Sequence, residues 1–221
     1  MPHHPQPAGA MRLPRPTTVP YIAARSDELG GFEVELTVRR DGRGVGYGLE
    51  REGDRDARGV LWARVSTSDG TGRPLFDQVH PTRQRKCVEL ALCQVCAKPA
   101  SRTKKGTLFL TRRESAEHMW AAWPDGCLTM QPPLCVPCAR IAVEQCHHLI
   151  GRYVAIRARK TRLHGVFGTL YVPGLYGTVR AVDDRGQGVT LPYTDPAARW
   201  LLASQMVCEL RRCTVVDLTS E

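Results

Sequence analysis

Two Cys-x-x-Cys knuckles, Cys93-Gln94-Val95-Cys96 and Cys135-Val136-Pro137-Cys138, constrain this chain more than any other feature. In such a turn both sulfurs can face one ion while backbone N–H groups donate to them. Two turns supply the four ligands of tetrahedral zinc without help from His147 or His148. A shell closed by protein leaves no position for water or substrate, so the expected role is structural. Each cysteine binds as its thiolate, so metal uptake is coupled to folding and releases protons. A redox reading would call for one such pair beside a βαβ pattern. Here there are two pairs, the second leading into a helix over Ala139 to Ile150. Iron stays open beside zinc, although four isolated thiolates carry no redox cue.

Between the knuckles, residues 106–111 and 127–130 read as two strands of a hairpin, with Trp120 and Trp123 expected to pack over the thiolates. Pro132-Pro133 aims the chain at the second knuckle. The order of knuckle, hairpin and second knuckle at a helix N-terminus resembles the treble-clef zinc finger over residues 90–150, and the knuckle separation is similar to that of HNH endonucleases with a four-cysteine zinc. The resemblance implies structural zinc and a fold common among nucleic-acid-binding proteins. HNH catalysis would need a general-base His on the hairpin and a metal-binding His or Asn on the following helix. Here the hairpin region offers only His118, the second knuckle is followed by Ala139, and His147-His148 stand at the far end of the helix.

Lys and Arg total 31 against 22 Asp and Glu, a formal charge of +9. That excess points to a polyanionic partner. No run of about 18 apolar residues suggests a membrane span, and the first residues lack a secretory apolar core. Nine cysteines, an odd number, fit metal and reduced thiols better than a disulfide framework. A cytoplasmic location is expected, and the preference for Arg, Ala, Gly and Val suggests a GC-rich bacterial source.

In chain order, residues 1–20 read as a disordered Pro-rich tail. Residues 21–80 read as an antiparallel β region, with strands at 32–38, 45–50 and 59–65 forming a meander. A helix is expected from His80 to Leu92, with Pro81 in its first turn, and residues 81–150 form the zinc region. Residues 151–221 read as a second small sheet: a basic strand from Arg152 to Lys160, Gly-punctuated strands to Tyr193 with a turn at Asp183-Asp184-Arg185-Gly186, an amphipathic helix over 196–210 introduced by Asp195-Pro196, and a last strand at 214–218. The fold class is α+β.

Two cationic clusters are candidates for phosphate contacts: Lys104 and Lys105 after the first knuckle, and Arg157, Arg159, Lys160 and Arg162 on the basic strand. The reading that follows is a zinc-stabilised DNA- or RNA-binding or regulatory protein. The alternatives are a divergent HNH-like nuclease using His118, His147 or His148, a small-molecule enzyme with a pocket between the sheets, and an interaction module that binds a protein partner or forms a homodimer. No Walker loop, Rossmann fingerprint, Ser/His/Asp order or HExxH helix is present.

Overall fold

The computed structural model describes residues 16–28, 35–113, 120–182 and 187–221. The tail to residue 15, the first part of the strand expected from Phe32, His118 and the Asp183-Asp184-Arg185-Gly186 turn lie outside these residues. In chain order the strands are β1 (Ala23–Arg25), β2 (Leu36–Val38), β3 (Val45–Tyr47), β4 (Leu61–Trp62), β5 (Pro74–Val79), β6 (Arg102–Thr103), β7 (Gly106–Arg112), β8 (Leu128–Thr129), β9 (Tyr153–Pro173), β10 (Val179–Ala181), β11 (Val189–Pro192) and β12 (Leu201–Val216). The helices are α1 (Pro81–Glu89) and α2 (Val136–Gln145). The class is mixed α+β, dominated by sheet.

A long antiparallel ribbon of β9 and β12 carries the main sheet, paired from Leu201↔Leu170 to Val216↔Ala155 with register shifts at Ala203/Gln205 and Val207/Cys208. The outer edge of β12 takes β4 in parallel and β8 antiparallel. The outer edge of β9 takes β7, which in turn holds β6, then β11 and β10. The sheet therefore runs across the boundary expected at residue 150. The 106–111 and 127–130 segments do form strands, but not one hairpin: β7 pairs with β6 and β9, and β8 with β12. In the N-terminal region β2 pairs with β3 and β1 with β5, while β4 leaves the expected meander for β12.

The helix expected over 196–210 is corrected to a short 3₁₀ turn at Pro196–Trp200 followed by strand β12. Asp195 does act as a cap, accepting from the Ala197 N–H at 2.8 Å. Beyond it, Leu, Ala, Gln, Met and Glu favour helix locally, but pairing along β9 overrides that weak preference. A register shift between Ala203 and Gln205 moves the buried series from Leu201 and Ala203 to Met206, Cys208 and Leu210. A bulge of this kind breaks the period of two and imitates a helical stripe.

The Gly punctuation of β9 has a steric reason. A Cβ at Gly165 would lie 2.0 Å from the Leu191 carbonyl oxygen, and one at Gly168 2.0 Å from that of Leu202.

Helix α1 is capped by buried His80, whose Nδ1 accepts from the Arg83 N–H at 3.4 Å while Nε2 faces the Ser66 carbonyl at 3.3 Å. Burial and the Arg83 cation hold His80 below its ordinary pKa, which suits a neutral ring accepting at Nδ1. Gln84 docks the helix on β12: its amide nitrogen donates to the carbonyls of Met130 and Met206, and its oxygen accepts from the Met206 N–H at 2.9 Å. Residues 17 and 18, expected in the disordered tail, are instead tied to α2 by Gln145 Oε1, 3.0 Å from each backbone nitrogen.

Candidate metal centre and basic face

The first knuckle is a turn wound around its own backbone. Cys93 N–H donates to the Lys98 carbonyl at 2.7 Å and Ala97 N–H to that of Cys93 at 2.8 Å. Ala97 takes the left-handed conformation, φ 58, that lets the chain double back. The second knuckle opens α2: Cys135 is the N-cap and Cys138 lies in the first turn, where Pro137 adds no unsatisfied N–H. The positive end of a helix favours thiolate over thiol. Neighbouring segments hold the knuckles together, with Gln94 N–H donating to Pro133, Leu134 N–H to Leu108, and Tyr21 N–H to Val95. Under them packs a cluster of Leu108, Leu110, Leu134, Ala139, Ala155 and Leu218.

The four sulfurs of Cys93, Cys96, Cys135 and Cys138 all lie within 4.8 Å of one another, and those of Cys96 and Cys135 are 3.8 Å apart. A zinc–sulfur bond of about 2.3 Å gives a tetrahedral edge of about 3.8 Å. The sulfurs are also solvated by backbone: the N–H groups of Cys135, Cys96 and Val95 donate to Cys93, and that of Lys98 to Cys96. Burial pushes the Cys93 and Cys138 thiols up, helped at Cys138 by its sulfur neighbours. At Cys96 burial acts in the same direction but is outweighed by the Lys98 N–H and the adjacent thiols, which hold it below the ordinary value. The Cys93 and Cys138 thiols thus resist ionising in this crowd of sulfurs, and a bound divalent cation would offset that resistance. The site can hold a metal ion, and the donor set suits zinc.

The remaining cysteines do not join the cluster, although the Cys87 thiol donates to the Cys93 carbonyl at 3.9 Å. Burial pushes Cys87, Cys127 and Cys208 up to about 11 and Cys213 to about 12, as expected of inert core thiols. His147 and His148 lie exposed beyond the end of α2. Among the described residues, the four cysteines are the one group of three or more His, Cys, Asp or Glu ligand atoms close enough to share a metal. The tryptophans do not cover the thiolates: Trp123 packs with Phe109, Cys127 and Ile156, and Trp120 is exposed.

The basic candidates divide. Arg157, read from the sequence as a surface cation, is fully buried. Its Nη1 donates to the carbonyls of Ser101 at 3.1 Å and Gly106 at 3.2 Å, its Nη2 to the Ser101 hydroxyl, and the guanidinium pairs with Glu221. Arg157 holds Glu221 below the ordinary carboxylate value. No face of Arg157 is left for a phosphate. The reason is β7, which covers β9 as far as Ala158.

Immediately beyond that point Arg159, Lys160 and Arg162 are exposed. Gly106 abuts Ala158 and Arg159 so closely that a Cβ there would meet the Ala158 carbonyl carbon at 2.3 Å. The Lys104-Lys105 turn therefore sits beside Arg159. The register adds two residues missed in the sequence, because Arg211 pairs with Lys160 across the ribbon and exposed Arg212 follows. The helical reading of this stretch hid them; an alternating strand through 206–216 would have brought them beside β9. Arg211 is bound to Glu209 at 2.6 Å, whereas Lys104, Lys105, Arg159, Lys160, Arg162 and Arg212 form no ion pair among the described residues.

No family model, curated protein sequence or solved structure matches this chain. No helix among the described residues is long and apolar enough to cross a membrane.

Proposed function

We propose that the chain is a non-enzymatic nucleic-acid-binding protein whose four-cysteine site holds a structural zinc ion. The order of knuckle, β6–β7 hairpin and helix N-terminus supports a treble-clef-like reading of residues 90–150. In this reading Cys93, Cys96, Cys135 and Cys138 bind zinc as thiolates, and the ion fixes the loop from which Lys104 and Lys105 project.

The observation that carries the proposal is a band of exposed cations that form no ion pair among the described residues: Lys104 and Lys105 in the β6–β7 turn, Arg159, Lys160 and Arg162 on the stretch of β9 just beyond β7, where side chains alternate between the two faces, and Arg212 on the neighbouring strand. Several like charges close together, in excess over the neighbouring carboxylates Glu209 and Glu221, raise the local potential and attract a phosphate backbone. The contrast with Arg157, neutralised one turn of the pleat away, separates structural arginine from available arginine.

The test is binding of a labelled duplex at several salt concentrations. A variant carrying Lys104→Ala, Lys105→Ala, Arg159→Ala, Lys160→Ala and Arg162→Ala binds more weakly, and its log affinity falls less steeply with log salt, by about 0.9 for each phosphate no longer neutralised. Arg73→Ala with Lys86→Ala, exposed cations elsewhere, leaves the slope nearly unchanged. Equal binding by the five-residue variant and the parent protein sinks the proposal.

A further inference from the structure

The hairpin joining β9 to β10 ends in Pro173-Gly174-Leu175-Tyr176-Gly177-Thr178. Its backbone is closed by Gly174 N–H donating to the Thr178 carbonyl at 2.8 Å and Thr178 N–H to that of Leu175 at 3.1 Å. The Thr178 hydroxyl also donates to the Leu175 carbonyl at 2.7 Å. Within this tied turn Tyr176 has φ 55 and ψ 34, a left-handed conformation that bulky side chains avoid. The turn presents Tyr176 100% exposed and Leu175 76% exposed. Neither belongs to any of the apolar clusters. An apolar pair held in water by a strained backbone works against folding at both residues, and such strain concentrates at functional positions.

The surroundings are cationic. Thr178 forms an antiparallel bridge with Thr37, so the chain leaving β2 runs beside the tip and brings Arg39 and Arg40 with it. Arg39 is bound to Asp41 at 3.1 Å. Arg40, and Arg180 on β10, are exposed and form no ion pair among the described residues. A fully exposed ring, with exposed guanidiniums on the adjoining chain at Arg40 and on β10 at Arg180, matches the chemistry of a base flanked by phosphates.

We propose that Tyr176 is a stacking platform for an unpaired base of single-stranded nucleic acid, with Arg40 and Arg180 contacting the phosphates on either side. This rests on the nucleic-acid reading above and narrows it. The basic patch around Arg159 supplies charge, and the tip supplies a fully exposed ring. At about 3.3 Å per residue Tyr176 lies no more than roughly 46 Å along the chain from Arg162, so one strand can engage both.

The test is fluorescence anisotropy with an oligothymidylate on the order of 20 nucleotides, long enough to span both sites. Tyr176→Ala weakens binding about tenfold while leaving the salt slope unchanged, because no charge is removed. Tyr176→Phe retains the affinity. Arg40→Ala with Arg180→Ala makes the slope shallower by about 0.7 for each phosphate no longer neutralised. Unfolding midpoints of the Tyr176 variants stay at the parent value, since the ring packs on nothing. If the parent binds, the basic-face variant loses binding and Tyr176→Ala binds like the parent, the platform is overturned and the proposed function stands. If the parent binds the labelled duplex but not the oligonucleotide, the platform is overturned and the proposed function stands; if it binds neither, both fall. If Tyr176→Ala keeps its oligonucleotide affinity but no longer binds vesicles of phosphatidylcholine and phosphatidylserine that the parent binds, the tip belongs to a lipid surface and the proposal is wrong.

Discussion

The thiolate centre and the Arg157–Glu221 pair solve one problem in opposite ways. Both place charge-bearing groups inside the protein within the region that Leu108 and Ala155 hold together, and neither charge is tolerable alone. At the knuckles the chain supplies four groups that bind metal with one sign of charge, and the balance would come from a cation. At Arg157 the chain supplies the cation and the balance comes from a carboxylate and two carbonyls. The difference is where the partner is encoded. Each pair of sulfurs is written into one tight turn, whereas Arg157 and Glu221 are 64 positions apart. Local encoding leaves a spacing; distant encoding leaves none.

The largest effect follows from removing the metal. Structural zinc in small fingers contributes about 10–16 kcal/mol, as much as the whole stability of an ordinary domain. Cys93→Ser or Cys138→Ser therefore lowers metal content from one ion per chain toward none and exposes residues 90–150 to hydrogen exchange. Chelation of the parent protein does the same, while Cys87→Ser and Cys127→Ala retain the ion. Metal content is read by elemental mass spectrometry. A Cys138→Ser protein with a full metal complement and unchanged exchange would show that the ion is held elsewhere.

Breaking the other balance has a smaller effect. Glu221→Gln leaves the buried guanidinium without its carboxylate, a loss of about 3 kcal/mol for a buried pair deprived of one partner. The pH dependence has a definite sign. The Glu221 pKa is lowered by Arg157 from an ordinary 4.5, so its contribution is complete above that value and is lost as pH falls through the lower folded value. Urea midpoints across the acid range should converge for parent and Glu221→Gln below that folded value and diverge above 4.5. Parallel curves would mean that the Ser101 and Gly106 carbonyls satisfy Arg157 without help.

These two cases mark how far the sequence could be read. The four sulfurs and the helix that follows them were legible because their constraints lie within a few residues. Helix α1, with Pro81 in its first turn, was legible for the same reason. The β9–β12 ribbon was not: its strands are separated in sequence by β10 and β11, and a bulge disguised β12 as a helix. Arg157 looked like its neighbours Arg159 and Lys160 because strand chemistry is identical on both sides of Ala158. What differs is that β7 ends its cover there, a fact about another strand. The parallel placement of β4 on β12 was hidden for the same reason, since an adjacent turn made the meander the nearer solution.

Gln84 offers the weakest and most discriminating comparison, because it meets the burial problem with no charge at all. Its amide replaces a missing strand partner, donating to the Met130 and Met206 carbonyls and accepting from the Met206 N–H. Gln84→Leu keeps the volume but leaves those backbone groups buried and unpaired, a loss of about 2 kcal/mol. Since no titrating group is removed, the loss is the same at every pH, unlike that of Glu221→Gln. Metal content stays at the parent value if the ion and the α1–β12 contact are separate supports. A Gln84→Leu protein that loses its metal would show instead that the thiolate centre depends on the docking of α1, whose following residues lead directly into Cys93, and would make the ribbon and the knuckles one cooperative unit.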